Sequence, residues 1–387
     1  MSRLLYVANA RIPTEKANGY QIVQMCEAFA LAGEQVTLVV PRRLNTSDLR
    51  SVTNVWEYYG VRENFEIVYL PCLDLLWLPT RLPFVIQTVT FLVALLGWLP
   101  FQKYDRLFSR DMLVMAGLAL VVPPHKLIYE VHSKARSGLS KRLQSWLLRR
   151  VRLVVSLTGA MAAQLKAQGA NNIMVAHDGI RPERFVNLPS LQAARATFDL
   201  PPDAFIACYS GRLHTMGMSK GLDGFVDAAA KTGAGIHFLL VGGTNKEIVA
   251  LRQHWLTVGL PIEHFHAVGT VAPADVPRYL AAADVCLITS PQNEFFANET
   301  SPMKLFEYML AGKAILASDL ASTREVVTHR ESAYLVPPGN IEALAGALLT
   351  LKNEPELRQQ LGQNAAQLAL GYTWQQRAES ILKNAEK

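Results

Sequence analysis

The chain has 387 residues, half of them hydrophobic and 18% charged, with a formal net charge of +6. That length exceeds a single ordinary core, so two domains are expected, and the composition is that of a globular chain rather than a disordered or fibrous one. The positive balance favours an anionic partner such as a sugar nucleotide, a lipid phosphate or a membrane surface. Nucleic acid is not expected, because the chain carries no aromatic-and-basic recognition module and no zinc-ligand spacing.

The N-terminus runs straight into a strand pattern over residues 4–8, so no leader is expected. A loop to Asn18 and then Gly19 precede a helical spacing over 20–32 (Ile22, Val23, Met25, Cys26, Phe29, Ala30), and 35–40 reads as the next strand. This β-α-β unit opens a doubly wound domain. Residues 82–102 carry no charge and are rich in Phe, Leu and Val. By length they could span a membrane, but a span would put the strands before and after them on opposite sides, and Pro83, Gly97 and Pro100 interrupt the run. A helix lying in the membrane interface and a helix buried against the sheet both stay open. Strands follow at 105–109 and 127–130, the second leading into His132. A segment crowded with Lys134, Arg136, Lys141, Arg142, Arg149, Arg150 and Arg152 also carries Leu139, Leu143, Trp146, Leu147 and Leu148. It reads either as a basic amphipathic helix suited to an anionic membrane surface or as a solvated helix face. Strands at 153–157 and 173–176 complete the first domain, and linker composition places the boundary between about 186 and 203.

The second domain opens with a strand over 204–210, followed by Gly211-Arg212 and a loop to Lys220-Gly221. Further strands are expected at 236–241, 265–271, 283–290, 314–317 and 333–336. After a polar loop over 291–298, Ser301 suits a helix N-cap and Pro302 the first helical position. Met303, Leu305, Phe306, Met309 and Leu310 then give an apolar helical face, closed by Gly312. A loop at a strand's C-terminal end that leads into a helix N-terminus is suited to bind an anion. Glu299 lies beside that site and Glu307 within the helix. The four cysteines, Cys26, Cys72, Cys208 and Cys286, show no paired spacing and read as reduced core residues of a cytoplasmic protein.

Seven residues separate Glu299 from Glu307, around Ser301-Pro302-Met303-Lys304-Leu305-Phe306-Glu307-Tyr308-Met309, with Ala311-Gly312 after it. This stretch resembles the E-x7-E element of retaining, nucleotide-sugar-dependent glycosyltransferases of the GT-B fold, family 4, in the bacterial branch that builds surface polysaccharides. The resemblance runs over essentially the whole chain and implies two Rossmann-like doubly wound α/β domains facing a cleft. These are residues 1–186, expected to bind the acceptor, and 203–370, expected to bind the nucleotide sugar, with 371–387 forming a helix that returns to the first domain. It implies that Glu307 holds the donor's ribose hydroxyls, that Glu299 lies near the transferred sugar, and that the backbone at Ser301, Pro302 and Met303 holds the diphosphate. Arg212 and Lys220 are similar to the family's diphosphate clamp, neutralising the leaving group. Gly19 stands where the family brings backbone N–H groups to the diphosphate, although a lone glycine opening a helix is as often simple turn chemistry. His132 matches the histidine that approaches the donor sugar. Val271 matches the backbone contact to the nucleobase. The Ala272-Pro273 that follows favours a uridine donor over a guanosine one. Asp178 stands where the family more often has Asn.

The function implied is transfer, with retention, of a sugar from a nucleoside diphosphate sugar to a lipid-linked or glycan acceptor. No metal cofactor is expected, and the enzyme is expected at the inner face of a membrane as a peripheral protein. A sugar-nucleotide epimerase on the same architecture and a non-catalytic nucleotide-sugar-binding subunit that docks at a membrane are the alternatives.

Overall fold

The structure, a computed structural model, describes residues 2–75, 82–233 and 235–386. It divides into two units, Met1–Asp178 with Trp374–Lys387, and Gly179–Thr373. The division falls upstream of the 186–203 linker expected from composition. The reason is packing: Ile180, Ala194 and Leu200 are buried in a core of the second unit, so this stretch is an entry segment rather than a free linker.

The first unit is built on seven parallel strands: β1 (Arg3–Val7), β2 (Gln35–Pro41), β3 (Glu66–Leu70), β4 (Arg106–Ser109), β5 (Leu127–Val131), β6 (Leu153–Ser156) and β7 (Ile173–Val175). Their order is β3-β2-β1-β4-β5-β6-β7, with the reversal of direction between β1 and β4. The central strands read as continuous apolar runs because helices cover both faces of the sheet; β5 is buried along its whole length. The first helix spans Ala17–Leu31, three residues earlier than its apolar spacing suggested. The closing helix, Trp374–Glu386, belongs to this unit and packs against the first.

The uncharged run forms the helix Leu82–Trp98 and a short turn, Leu99–Phe101, together long and apolar enough to cross a membrane. It does not cross one here, because β3 before it and β4 after it are parallel strands of the same sheet. Phe91, Leu95 and Leu99 sit in the core, while Leu82, Val85, Val89 and Val93 form an exposed stripe at helical spacing. One face of the run is therefore buried against the sheet, as one of the two readings has it, and the other face is exposed. Two of its few polar residues also have work inside the fold. Gln87 Nε2 donates to Asn9 Oδ1 at 2.9 Å, and Asn9 Nδ2 donates to Thr88 Oγ1 at 3.0 Å, which holds the loop leaving β1.

The second unit carries six parallel strands and one small hairpin. They are β8 (Ile206–Ser210), the hairpin β9 (His214–Thr215) and β10 (Met218–Ser219), then β11 (His237–Val241), β12 (Phe265–Gly269), β13 (Val285–Ile288), β14 (Ala314–Ser318) and β15 (Tyr334–Val336). The sheet order is β12-β11-β8-β13-β14-β15. β8 is central: its successors build outwards on one side, and β13 begins the other side. Both units are therefore Rossmann-like α/β layers with parallel sheets. In such a sheet the crevice for a ligand lies beyond the carboxyl ends of the two strands where the order reverses, here β8 and β13.

Candidate active site

The exits of β8 and β13 are packed too closely for ordinary side chains. The Ser210 N–H donates to Tyr308 Oη at 2.8 Å, which ties the end of β8 to the buried Tyr308 of the helix Met303–Leu310. Tyr209 Oη donates to the Arg212 carbonyl at 2.6 Å. Gly242, with φ of 117°, passes so close that a Cβ there would stand 2.5 Å from the Gly211 carbonyl. After the hairpin, the Lys220 N–H donates to the Leu213 carbonyl at 2.9 Å, and Thr289 Oγ1 donates to the Lys220 carbonyl at 2.9 Å. At Gly221, with φ of 78°, a Cβ would stand 2.0 Å from the Thr289 carbonyl. Lys220 is thus carried to the end of β13 by close backbone contacts, while the Arg212 backbone is held at the end of β8 by Tyr209. Glycine at 221 is required by both the turn and the close approach.

The stretch after β13 differs in detail from the simple loop expected. Phe295–Glu299 form one π-helical turn, a conformation found mainly as single turns at functional sites. Asn293 Oδ1 accepts from the Phe296 N–H at 2.8 Å, and Ser322 Oγ donates to the Phe296 carbonyl at 2.8 Å. Glu299 and Ser301 are buried. The helix begins at Met303 with Pro302 as its N-cap, so Ser301 is not the cap and Pro302 is not the first helical residue. Two constraints shift the start: a residue preceding proline is driven to extended backbone, and Pro302 itself has ψ of 108°. The first-turn N–H groups at this end have no carbonyl four residues back to bind.

Around this helix start the charges are close enough to perturb one another. Burial holds the Lys220 ammonium below its ordinary pKa, with the Arg212 guanidinium adding to the effect. Lys304, in the first helical turn, is pushed much further down by burial and by Lys220. Burial raises the Glu307 carboxyl, opposed chiefly by Arg184. Arg184 Nη1 lies 3.2 Å from Glu307 Oε1, and its Nη2 donates to the Pro273 carbonyl, two residues beyond the partly buried Val271. Arg184 therefore links Glu307 to the segment matched to nucleobase recognition. Neither Arg184 nor Lys304 was assigned a role from the sequence, although Lys304 lies inside the stretch from Ser301 to Met309. A cation in the first turn of a helix, where the dipole is positive, is the signal that singles out Lys304. Among the described residues, no group of three or more His, Cys, Asp or Glu is arranged to hold a metal ion.

The remaining candidates lie in the first unit, in a different setting. Gly19 sits in the first turn of its helix, where its N–H donates to the Lys16 carbonyl at 3.0 Å and so is not presented to a ligand. Its lack of a side chain answers to packing, since a Cβ would meet Thr14 at 2.3 Å and the Tyr59 hydroxyl at 2.6 Å. His132 belongs to a chain of buried polar groups. Its Nε2 pairs with Glu130 Oε1, and its Nδ1 faces Arg110 Nη2 at 2.9 Å. An arginine can only donate, so Nδ1 accepts and the proton is on Nε2. Burial and Arg110 hold the imidazole down to about 4, leaving it neutral at pH 7. Glu130 Oε2 accepts from Arg377 Nη2 at 2.7 Å, both side chains being fully buried, and Arg377 Nε donates to the His177 carbonyl at 2.8 Å. Gln21 completes the chain by receiving Arg110 and donating to Asp178.

Residues 192–368 match the family described as glycosyl transferases group 1. A phosphatidyl-myo-inositol mannosyltransferase of Mycobacterium leprae is 29% identical over 208 residues, which cover 53% of this chain and 53% of that protein. The chain spans about half the length of the curated relatives it matches. Two solved structures carry the likeness in fold across nearly the whole length. Sucrose-phosphate synthase from Thermosynechococcus elongatus superposes with a TM-score of 0.81 at 20% identity, over 99% of this chain and 98% of that one. Anabaena HepE in complex with UDP-glucose superposes with a TM-score of 0.73 at 18% identity, over 99% of each. Each unit thus shares the Rossmann-like α/β fold of these GT-B proteins.

The buried chain in the first unit has a pH signature with a defined sign. Burial pushes the Asp178 carboxyl up to about 7, against the pull of Arg377. A carboxyl raised in the fold binds its proton more tightly there than in the unfolded chain, so its contribution to stability is lost as pH rises from about 4 to about 7. Asp178→Asn keeps an acceptor for Gln21 and removes the titration. The variant is expected to be roughly 2–4 kcal/mol more stable than the wild type near pH 7.5. In urea unfolding followed across pH, that advantage should shrink towards about pH 4. A difference that stays constant with pH would show that Asp178 does not titrate in this range.

Proposed function

We propose that this protein is a glycosyltransferase that moves a sugar from a nucleoside diphosphate sugar to an acceptor hydroxyl and retains the anomeric configuration. The observation that carries the reading is the gathering of Arg212, Lys220 and the helix start at Met303 where the strand order reverses, with Glu307 one turn into the helix. Departure of the sugar leaves negative charge on a diphosphate. Fixed cations and helix N–H groups aimed at that charge lower the barrier most where they need no rearrangement. The glycine-tight turns at 211, 221 and 242 support that rigidity. Since Arg212, Lys220 and the helix start supply the positive charge, we propose no metal requirement. Glu307 is assigned to the ribose hydroxyls, the backbone at Ser301, Pro302 and Met303 to the diphosphate, Glu299 to the sugar, and Val271 to the base. UDP is the favoured carrier, supported by Ala272-Pro273 after Val271 and by the UDP-glucose complex of HepE. Retention is assigned to attack on the face the diphosphate leaves, with a phosphate oxygen taking the acceptor's proton.

The acceptor is proposed to be lipid-linked and reached from a cytoplasmic membrane face. The M. leprae relative is named for transfer to a phosphatidylinositol, and the first unit carries a suitable surface. The exposed stripe of Leu82, Val85, Val89 and Val93 is joined by Leu120 and Val121 of the neighbouring helix Met112–Val121, with Val93 67% and Leu120 74% exposed. The helix Gly138–Arg150, which packs on Met112–Val121, adds exposed Leu139, Trp146, Lys141 and Arg142. Apolar side chains ringed by cations suit the interface of an anionic bilayer, where each basic residue adds about 1 kcal/mol.

Incubation of pure protein with UDP-sugars and an acceptor lipid should release UDP and form a retained glycoside, undiminished by EDTA. Glu307→Ala should weaken UDP binding by about 2–3 kcal/mol, as loss of a charge-assisted hydrogen-bond acceptor does. Unchanged UDP affinity in folded Glu307→Ala, or EDTA inhibition reversed by added metal, would refute the corresponding assignment. For the membrane face, binding to anionic liposomes should fall with salt and with Lys141→Glu plus Arg142→Glu, while UDP affinity stays. Failure of the wild type to bind such liposomes would leave the apolar stripe without that role.

A further inference from the structure

Lys304 Nζ is shut off from solvent and has no hydrogen-bond partner among the described residues. It lies 3.6 Å from the centre of the Tyr209 ring. On another side is the backbone of Gly211, where a Cβ would stand 3.4 Å from Nζ. Burial and Lys220 disfavour an ammonium here more than Glu307, Cys208 and the Tyr209 face favour it. Lys304 is the second residue of its helix, so it stands at the positive end of the dipole. Lys220 adds like charge, while Glu307, already paired with Arg184, supplies a weaker attraction. An aromatic face attracts a cation, but less than withdrawing that cation from water costs. The arrangement makes physical sense if an anion arrives.

Resting on the function proposed above, we propose that Lys304 is a third cation of the diphosphate site, held ready by Tyr209 and the bare backbone of Gly211 and paired only when phosphate oxygens enter. Its recognition is for the phosphates rather than the nucleoside. Binding then exchanges a buried, unpaired ammonium for a charge-assisted contact, so the ligand gains affinity from a cost already present in the empty protein.

The test is Lys304→Met, which removes the charge while keeping an unbranched side chain only one atom shorter to fill the space by the Tyr209 ring, with Lys304→Gln as a second variant. Thermal melting of the unliganded protein and calorimetric titration with UDP, inorganic pyrophosphate and uridine are compared with the wild type. The expected result is an unliganded melting temperature at or above that of the wild type. Affinity for UDP and for pyrophosphate should fall tenfold or more, with no change for uridine. Variants that melt well below the wild type and still bind UDP equally would make Lys304 a packing residue and overturn the inference. Equal loss for uridine and UDP would also overturn it. If the wild type binds neither UDP, GDP nor pyrophosphate, the proposed function falls and this inference with it; if the wild type binds and both variants bind as well, only this inference falls.

Discussion

The second unit depends on how closely two backbones approach at the end of its sheet. Gly242 against the Gly211 carbonyl, and Gly221 against the Thr289 carbonyl, leave less room than one methyl group needs. With Tyr308 Oη bonded to the Ser210 N–H, these contacts fix the exits of β8, β11 and β13 relative to the helix that begins at Met303. Side chains attached to such turns have little freedom to retreat from one another. Lys220 therefore remains near both Arg212 and Lys304 despite their like charge, and burial together with that like charge lowers the pKa values of both lysines. The proposed function draws on that rigidity, since fixed charges lower a barrier most where they need no rearrangement.

The first unit solves a different electrostatic problem. Arg377, from the closing helix, is buried against Glu130, and Glu130 in turn orients His132. Removing one partner of such a pair leaves an uncompensated buried charge, which is far costlier than the pair itself is stabilising. The C-terminal helix is therefore held to this unit by a specific polar lock as well as by the apolar packing of Trp374, Ile381 and Leu382. His132, with both ring nitrogens engaged and no charge at neutral pH, is suited to hold Arg110 in place and unsuited to act as a general acid.

Much of this was legible in the sequence because it is local. A buried strand, a polar connection and an amphipathic helix appear as consecutive patterns, so Glu299 could be placed in the loop after a strand, Glu307 within the helix that follows, and Arg212 and Lys220 in the loop after another strand, before any contact was known. What was not legible depends on contacts distant in sequence. The strand Glu66–Leu70 is an edge strand with three half-buried residues, so it lacks the continuous apolar run of its neighbours. The helix start moved by one residue because proline constrains its predecessor more strongly than serine attracts the cap. Gly19 is small because Tyr59, forty residues on, fills the space beside it. Arg184 meets Glu307 across 123 positions. Lys304 had no role assigned from the sequence, and the burial of its ammonium over Tyr209 is what a sequence pattern does not show.

The most direct measurement of the central claim is a crystal structure of the protein with UDP. The phosphates are expected within about 3 Å of Lys220 and of the free N–H groups at Met303, with the ribose hydroxyls on Glu307. UDP seated away from the ends of β8 and β13, or phosphates held to the protein through a metal ion, would contradict the account.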